Sequence, residues 1–342
     1  MPIINQVAKG GGSAPAHYIE KTVDANGMLV NSSNIINLNG ATNIGNYVLN
    51  YEYYGVMFPD NTSIDLSALT TISGESACTN MFGYCGGLTS VDLTSLTTVS
   101  GNNGCQYMFQ NCTSLTSIDL SSLTTISGTS GCSYMFNGCT GLTSADLSAL
   151  TTISINSACA HMFDGCTSLT SVNLSLLTTV SGSNGCGYMF QSCTSLTSID
   201  LSSLTTISGS GQGCAYMFRY CTSLTSANLS SLTTISGTSG CNYMFDGCTS
   251  LTSIDLSALT TLSASTVCSN MFKGCTSLTT VYIGGTTAID FGTRTNQFSS
   301  MFNGCTQDID VYAPSENQAQ IERFSGYPNF GGTGNVVWHW RS

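Results

Sequence analysis

Nine Met-Phe pairs begin at Met81, Met108, Met135, Met162, Met189, Met217, Met244, Met271 and Met301, which makes the spacings 27, 27, 27, 27, 28, 27, 27 and 30 residues. A period this regular is the signature of a solenoid, in which each unit buries its apolar face only against its neighbours. One unit, Cys105 to Gly128, reads CQYMFQNCTSLTSIDLSSLTTISG. The single extra residue falls in GSGQGC, where other units have GTSGC, so it lies in a turn and leaves the interior in register. That glycine-rich stretch lacks the strand, helix and downstream acidic residue that would make it a phosphate cradle.

Two periodicities alternate within the unit. Cys105, Met108, Phe109 and Cys112 fall at i, i+3, i+4 and i+7, which predicts one face of a helix of about two turns. Then Ile118 and Leu120 alternate with Ser117 and Asp119, which predicts a short strand with Ile and Leu inward. Stacked coils of this kind predict an α/β repeat solenoid, a stack of about nine coils with a parallel sheet, short helices and a cap at each end. With strands about 4.8 Å apart, nine coils span on the order of 40 Å.

The run MFxxCTSLTSIDLSSLTTIS resembles the BspA-type leucine-rich repeats of bacterial surface proteins and related repeats in phage tail or fibre proteins. The resemblance covers residues 62–305 and implies a leucine-rich-repeat fold and a role in adhesion or receptor binding, with no catalytic residues to carry over. The chain begins MPIINQVAKGGGSAPAHY, without the charged start and apolar block of a secretory signal. That favours a phage or prophage particle protein, found in a virion or extracellular assembly after synthesis in the cytoplasm, over an exported adhesin. Residues 1–16 read as a flexible tether and 17–61 as an N-terminal cap with Tyr47, Tyr51, Tyr53 and Tyr54. Residues 306–342 read as a C-terminal aromatic cap carrying both tryptophans, Trp338 and Trp340.

Composition narrows the partners. Charged residues make up 7% of the chain, 7 Lys plus Arg against 18 Asp plus Glu, for a net charge of -11. Nucleic-acid binding needs a basic patch that is missing. Ser, Thr and Gly interrupt every apolar stretch before the roughly 20 residues of a membrane span. A cell-surface protein or glycan, other fibre subunits, or a second copy of the chain remain as partners.

The 17 cysteines form Cys-x6-Cys pairs from Cys78 and Cys85 to Cys268 and Cys275, with Cys305 alone in the ninth unit. Zinc ligation, cross-links between coils and buried free thiols compete as readings. The spacing and scarcity of His speak against metal. The odd total speaks against cross-links, and Phe298 at the first Cys position of the ninth unit fits a small core hydrophobe. No cofactor or metal is expected, and no catalytic constellation appears. His17, His161 and His339 are scattered, and a thin filled solenoid offers no pocket.

Exposed positions become columns along the stack. An acidic column comprises Asp65, Asp92, Asp119, Asp146, Asp200 and Asp255, interrupted by Asn173 and Asn228 and ending at Tyr282. It reads either as a solvated face or as a seat for loosely held cations or a basic partner. An aromatic column holds Tyr107, Tyr134, His161, Tyr188, Tyr216 and Tyr243. Beside it a variable polar column holds Gln110, Asn137, Asp164, Gln191, Arg219 and Asp246. Flat rings with adaptable hydrogen-bonding neighbours suit a sugar or protein surface, and these twelve residues are the candidate recognition surface. The rings could equally stack on one another as a shield. Rows of Thr124, Thr125 and Ser127 and their equivalents read as good strand formers, with lattice matching to ice as the sharper alternative.

Overall fold

The structure is a computed structural model that describes residues 35–37, 43–44, 63–293 and 295–342. The expected tether, residues 1–16, and most of the expected N-terminal cap lie outside the described residues.

Each coil contributes two short strands. In the second unit these are Ser117–Asp119 and Thr125–Ile126. Ser117, Ile118 and Asp119 pair in parallel with Ser144, Ala145 and Asp146 of the next coil, so identical positions face each other. The second side repeats this, with Thr179 and Val180 against Thr206 and Ile207. Parallel pairing already joins Ile35–Asn37 to Ser63–Asp65, so the stack begins one coil earlier than residue 62. It also runs past residue 305. Ile309–Pro314 pairs with Thr280–Ile283, and Val336–Arg341 pairs with Ile309–Pro314. The C-terminal segment, expected as an aromatic cap, therefore continues the same sheet.

The Met-Phe segment corrects the expectation of helices. From Asn103 to Cys112 the amides alternate. Met108, Gln110 and Cys112 donate to the carbonyls of Cys105, Tyr107 and Phe109, three residues back, at 3.1, 3.1 and 3.2 Å. Cys105, Tyr107, Phe109 and Asn111 donate instead to the next coil, at Gly131, Ser133, Met135 and Asn137. Every fourth residue, Asn103, Tyr107 and Asn111, has φ near +55°. The result is a ribbon of successive turns, hydrogen-bonded along the stack like the two strand sides. Among the described residues the helical elements are a 3₁₀ turn at Ser315–Asn317 and the short α-helix Gln318–Ile321.

The interior is a set of parallel columns. Phe82, Phe109, Phe136, Phe163, Phe190, Phe218, Phe245, Phe272 and Phe302 stack ring on ring, with centroids 5.3 to 6.0 Å apart. Met, Leu and Ile columns fill the rest, all buried, as are all 17 cysteines. In the second thiol column Sγ donates to the Phe carbonyl of the preceding coil, for example Cys139 to Phe109 at 3.1 Å. Phe298 fills the first thiol position of the ninth unit and meets Phe291, Phe324 and Phe330 edge-on. A glycine fills the corner of most units, where a Cβ on Gly128 would sit 2.0 Å from the Gly101 carbonyl oxygen, while Ile155 and Ala264 hold the same corner in two others.

Candidate functional site

The aromatic column occupies the middle left-handed position of the turn ribbon. Tyr107, Tyr134, His161, Tyr188, Tyr216 and Tyr243 have φ between 55° and 59°. A left-handed backbone costs an ordinary L-residue roughly 1–2 kcal/mol. The six rings form one continuous stack with centroids 4.3 to 4.8 Å apart and interplanar angles of 4° to 24°. An aromatic pair adds about 0.5–1.5 kcal/mol beyond area burial, so the stacking of neighbouring rings offsets part of the backbone cost. Where the stack ends, the column switches to Asn80 and Asn270, a residue type that tolerates this backbone unaided. Burial raises the phenol pKa of Tyr134 and Tyr216, and the neighbouring Tyr side chains add to it.

Three residues along, the polar column is tied together by side-chain bonds. Gln110 Nε2 donates to Asn137 Oδ1 at 3.0 Å, and Asn137 Nδ2 to the Asp164 carbonyl at 2.9 Å. The Asp164 carboxylate receives Gln191 Nε2 at 3.3 Å and lies 2.9 Å from His161 Nδ1, linking the two columns. Arg219 Nε donates to Asp246 Oδ2 at 3.0 Å, and Asp246 is only 3% exposed. Buried carboxamide oxygens of Gln110 and Gln191 have no protein partner. The twelve residues thus lie on one side of the stack, with the rings half-buried and their faces taken by one another.

Two participants escaped the sequence reading. Lys273 continues the polar column, and its ammonium sits 5.4 Å from the Tyr243 ring centroid. Tyr220 stands at the third left-handed position, φ 60°, where most other coils have Gly, Ser or Asn, such as Gly138, Ser192 and Asn111, and the first Met-Phe unit has Tyr84. Its ring is 43% exposed, with the Arg219 guanidinium 4.5 Å from its centroid and an Arg219 Nη donating to its hydroxyl at 2.8 Å. A Cβ on Gly247 would come within 2.4 Å of the Tyr220 ring, so the next coil is a glycine where the ring lies down. The signal was in the repeat: a large aromatic where most coils have Gly, Ser or Asn, as also at Tyr84.

On the strand side the acidic column is aligned coil to coil, Asp119 opposite Asp146 and Asp146 opposite Asn173. Each side chain closes a turn at its strand end. The amides of Thr94, Ser121, Ser148, Ser202 and Ser257 donate to Asp92, Asp119, Asp146, Asp200 and Asp255 at 2.8 to 3.0 Å. Asn173 and Asn228 do the same for Ser175 and Ser230. The Asp65 side chain lies outside the described residues. An open depression interrupts this face at Ala145, between the larger Ile118 and Val172. Threonine hydroxyls on the second strand side are engaged too, Thr124 donating to the Thr97 carbonyl at 3.3 Å and Thr205 to that of Thr178 at 3.1 Å.

Among the described residues no group of three or more His, Cys, Asp or Glu could hold a metal ion, and no helix is long and apolar enough to cross a membrane.

Three solved structures are similar in fold. A leucine-rich repeat protein from Bacteroides ovatus shares 21% identity over 81% of this chain and 61% of its own, with a TM-score of 0.49. The chain thus spans about three-fifths of that protein. The T. pallidum leucine-rich repeat protein shares 18% identity, over 86% of this chain and 89% of its own, with a TM-score of 0.32. A leucine-rich cell surface protein from Faecalibacterium prausnitzii shares 16% over 95% of both chains, with a TM-score of 0.24. No curated protein matches the chain. The pattern of the BspA type Leucine rich repeat region recurs in six copies, matching residues 75–210, 106–238 and 186–308. With well over half its length accounted for by that pattern, the chain belongs to the BspA-type leucine-rich repeat family.

Proposed function

We propose that the protein is a non-enzymatic recognition repeat that contacts a cell-surface protein or glycan through its Tyr-bearing side. It would do so either as a bacterial surface adhesin or as the receptor-binding part of a phage or prophage tail fibre. The observation that carries this reading is the contrast on one side of the stack. Leu, Phe, Met and Cys recur coil after coil inside, while the polar residue beside each ring changes from Gln to Asn, Asp and Arg. A scaffold alone needs no such variation, and a surface presenting different donors and acceptors at fixed intervals supports selective contact. The test is binding of the purified chain to whole bacterial cells. Tyr134, Tyr188 and Tyr216 changed together to Asn, the residue that fills this backbone position at Asn80 and Asn270, should abolish binding with the melting temperature still defining a folded protein. Unchanged binding rejects the ladder as the contact surface.

A second reading, a structural subunit that associates through its ends, has its own support at the C-terminus. Val336–Arg341 is the outermost strand of its sheet, with Val337 46% exposed and Trp338 and Trp340 only partly buried. Terminal repeats of solenoids usually present a polar outer face, and long apolar edges invite pairing. Sedimentation velocity distinguishes the readings: oligomers dissolved by Val337→Lys would favour assembly, and a monomer at all concentrations would exclude it.

A further inference from the structure

We propose that the end of the aromatic ladder, at Tyr216, Arg219, Tyr220, Tyr243 and Lys273, binds an acidic saccharide through its carboxylate. This rests on the recognition reading above and adds the chemical class of the ligand.

Cations are scarce in this chain, seven in 342 residues, yet Arg219 and Lys273 stand two coils apart in one column beside the last two rings of the ladder. Between them, Asp246 is buried and spent on Arg219. The guanidinium is held from three directions: by Asp246 at Nε, by the Tyr220 hydroxyl at one Nη, and by the rings of Tyr216 and Tyr220 at 5.5 and 4.5 Å. Burial works against its charge, but the hydrogen bond to Asp246 and the neighbouring Tyr220 leave its pKa raised. Two of its five N–H donors serve these bonds, and the remainder are uncommitted among the described residues. A planar, fixed guanidinium grips a carboxylate with two parallel bonds and loses little rotamer freedom in doing so.

Tyr220 supplies the second argument. Its left-handed backbone carries the same cost as the ladder positions, but its ring is 43% exposed and lies outside the stack that offsets part of that cost elsewhere. Neighbouring coils put Ser192 and Gly247 there, so the fold does not need an aromatic. An exposed ring beside an anchored cation offers a pyranose both an apolar surface and an ion pair. An acidic peptide fits less well. The ribbon spends its amides on the next coil or on turns, leaving no edge for main-chain pairing.

The probe is tetragalacturonate, titrated calorimetrically at 0.15 M salt, where charges beyond about 8 Å are screened. Its methyl ester and a tetraglutamate peptide serve as comparisons. The double change Arg219→Gln with Asp246→Asn recreates the Gln110–Asn137 pair, and Tyr220→Asn recreates Asn111. Lys273→Gln alters an ammonium outside the core, so it stays informative if the others fail to fold. The expected result is binding of tetragalacturonate that weakens at least tenfold in every folded variant and at least tenfold for the ester. No binding by the wild type, equal binding of the ester or of tetraglutamate, or folded variants that bind like the wild type would each overturn the proposal. If cell binding is lost with the three ladder tyrosines but kept in these variants, this proposal falls and the recognition reading stands. If the wild type binds tetragalacturonate through Arg219 but no cells, the acidic-saccharide site stands and the cell-surface reading falls.

Discussion

The thiol of Cys112 donates to the carbonyl oxygen of Phe82, 3.1 Å away in the preceding coil. The same bond recurs from Cys139 to Cys305. It gives each thiol of this column a polar partner in an apolar interior, as a second donor to a Phe carbonyl that already accepts the amide three residues on.

Thiol reactivity should follow burial. Burial pushes the Cys78 and Cys268 thiols up to about 12 from 9.0. A group whose folded pKa is raised contributes its full stability below the unfolded value and loses it as pH rises toward the folded one. Stability should therefore fall across pH 9 to 12. Ellman's reagent at pH 8 should label no thiol in the native protein and all 17 after denaturation; rapid labelling of native protein would contradict the packing.

Carboxylates about 4.8 Å apart repel by roughly 1 kcal/mol in water, and each Asp also accepts an amide bond worth about 1 kcal/mol. Asp119→Asn keeps the bond to Ser121 and removes repulsion from Asp146, as Asn173 does naturally. It should stabilise by a few tenths to about 1 kcal/mol in urea denaturation, with the gain shrinking in high salt. Asp119→Ala, which loses both, should come out near neutral.

Gly128→Ala places a methyl against the Gly101 carbonyl, so the corner must shift locally, as it does where Ile155 and Ala264 stand. A loss of about 1 kcal/mol is expected, at the low end for overpacked interiors. Thermal melting decides it, and an unchanged midpoint would mean the corner gives way freely.

Tyr188→Asn removes two ring contacts at once, to His161 and Tyr216 at 4.4 and 4.5 Å, while relieving the backbone. The two terms nearly cancel, so the melting temperature should change little. Tyr188→Ala keeps the backbone cost without the stacking and should be the more destabilising variant by about 1–2 kcal/mol.

The strands were legible because their period of two and their apolar residues agree. Ile118, Leu120, Leu123 and Ile126 are all buried, as the alternation required. The turn ribbon was not, because Cys105, Met108, Phe109 and Cys112 face inward from either a helix or a chain of turns. The residues between them held the distinction. Asn103 and Asn111, or Asn270 and Gly274, put residues that tolerate a left-handed backbone at positions of this four-residue spacing, and Gly and Asn are poor in a helix interior. The columns of the candidate surface follow directly from the repeat. Tyr220 and Lys273 did not, since their importance comes from where they lie against Gly247 and Tyr243 rather than from their place in the unit.

A flank of α-helices would demand about 10 Å per coil against 4.8 Å on the strand side, and that wedge is what bends a stack into an arc. Here the turn flank advances by the same step as the strands, with Tyr216 and Tyr243 only 4.8 Å apart. Gaining or losing a unit therefore alters reach by one such step on both flanks, and a linear polymer laid alongside meets rungs at that fixed interval.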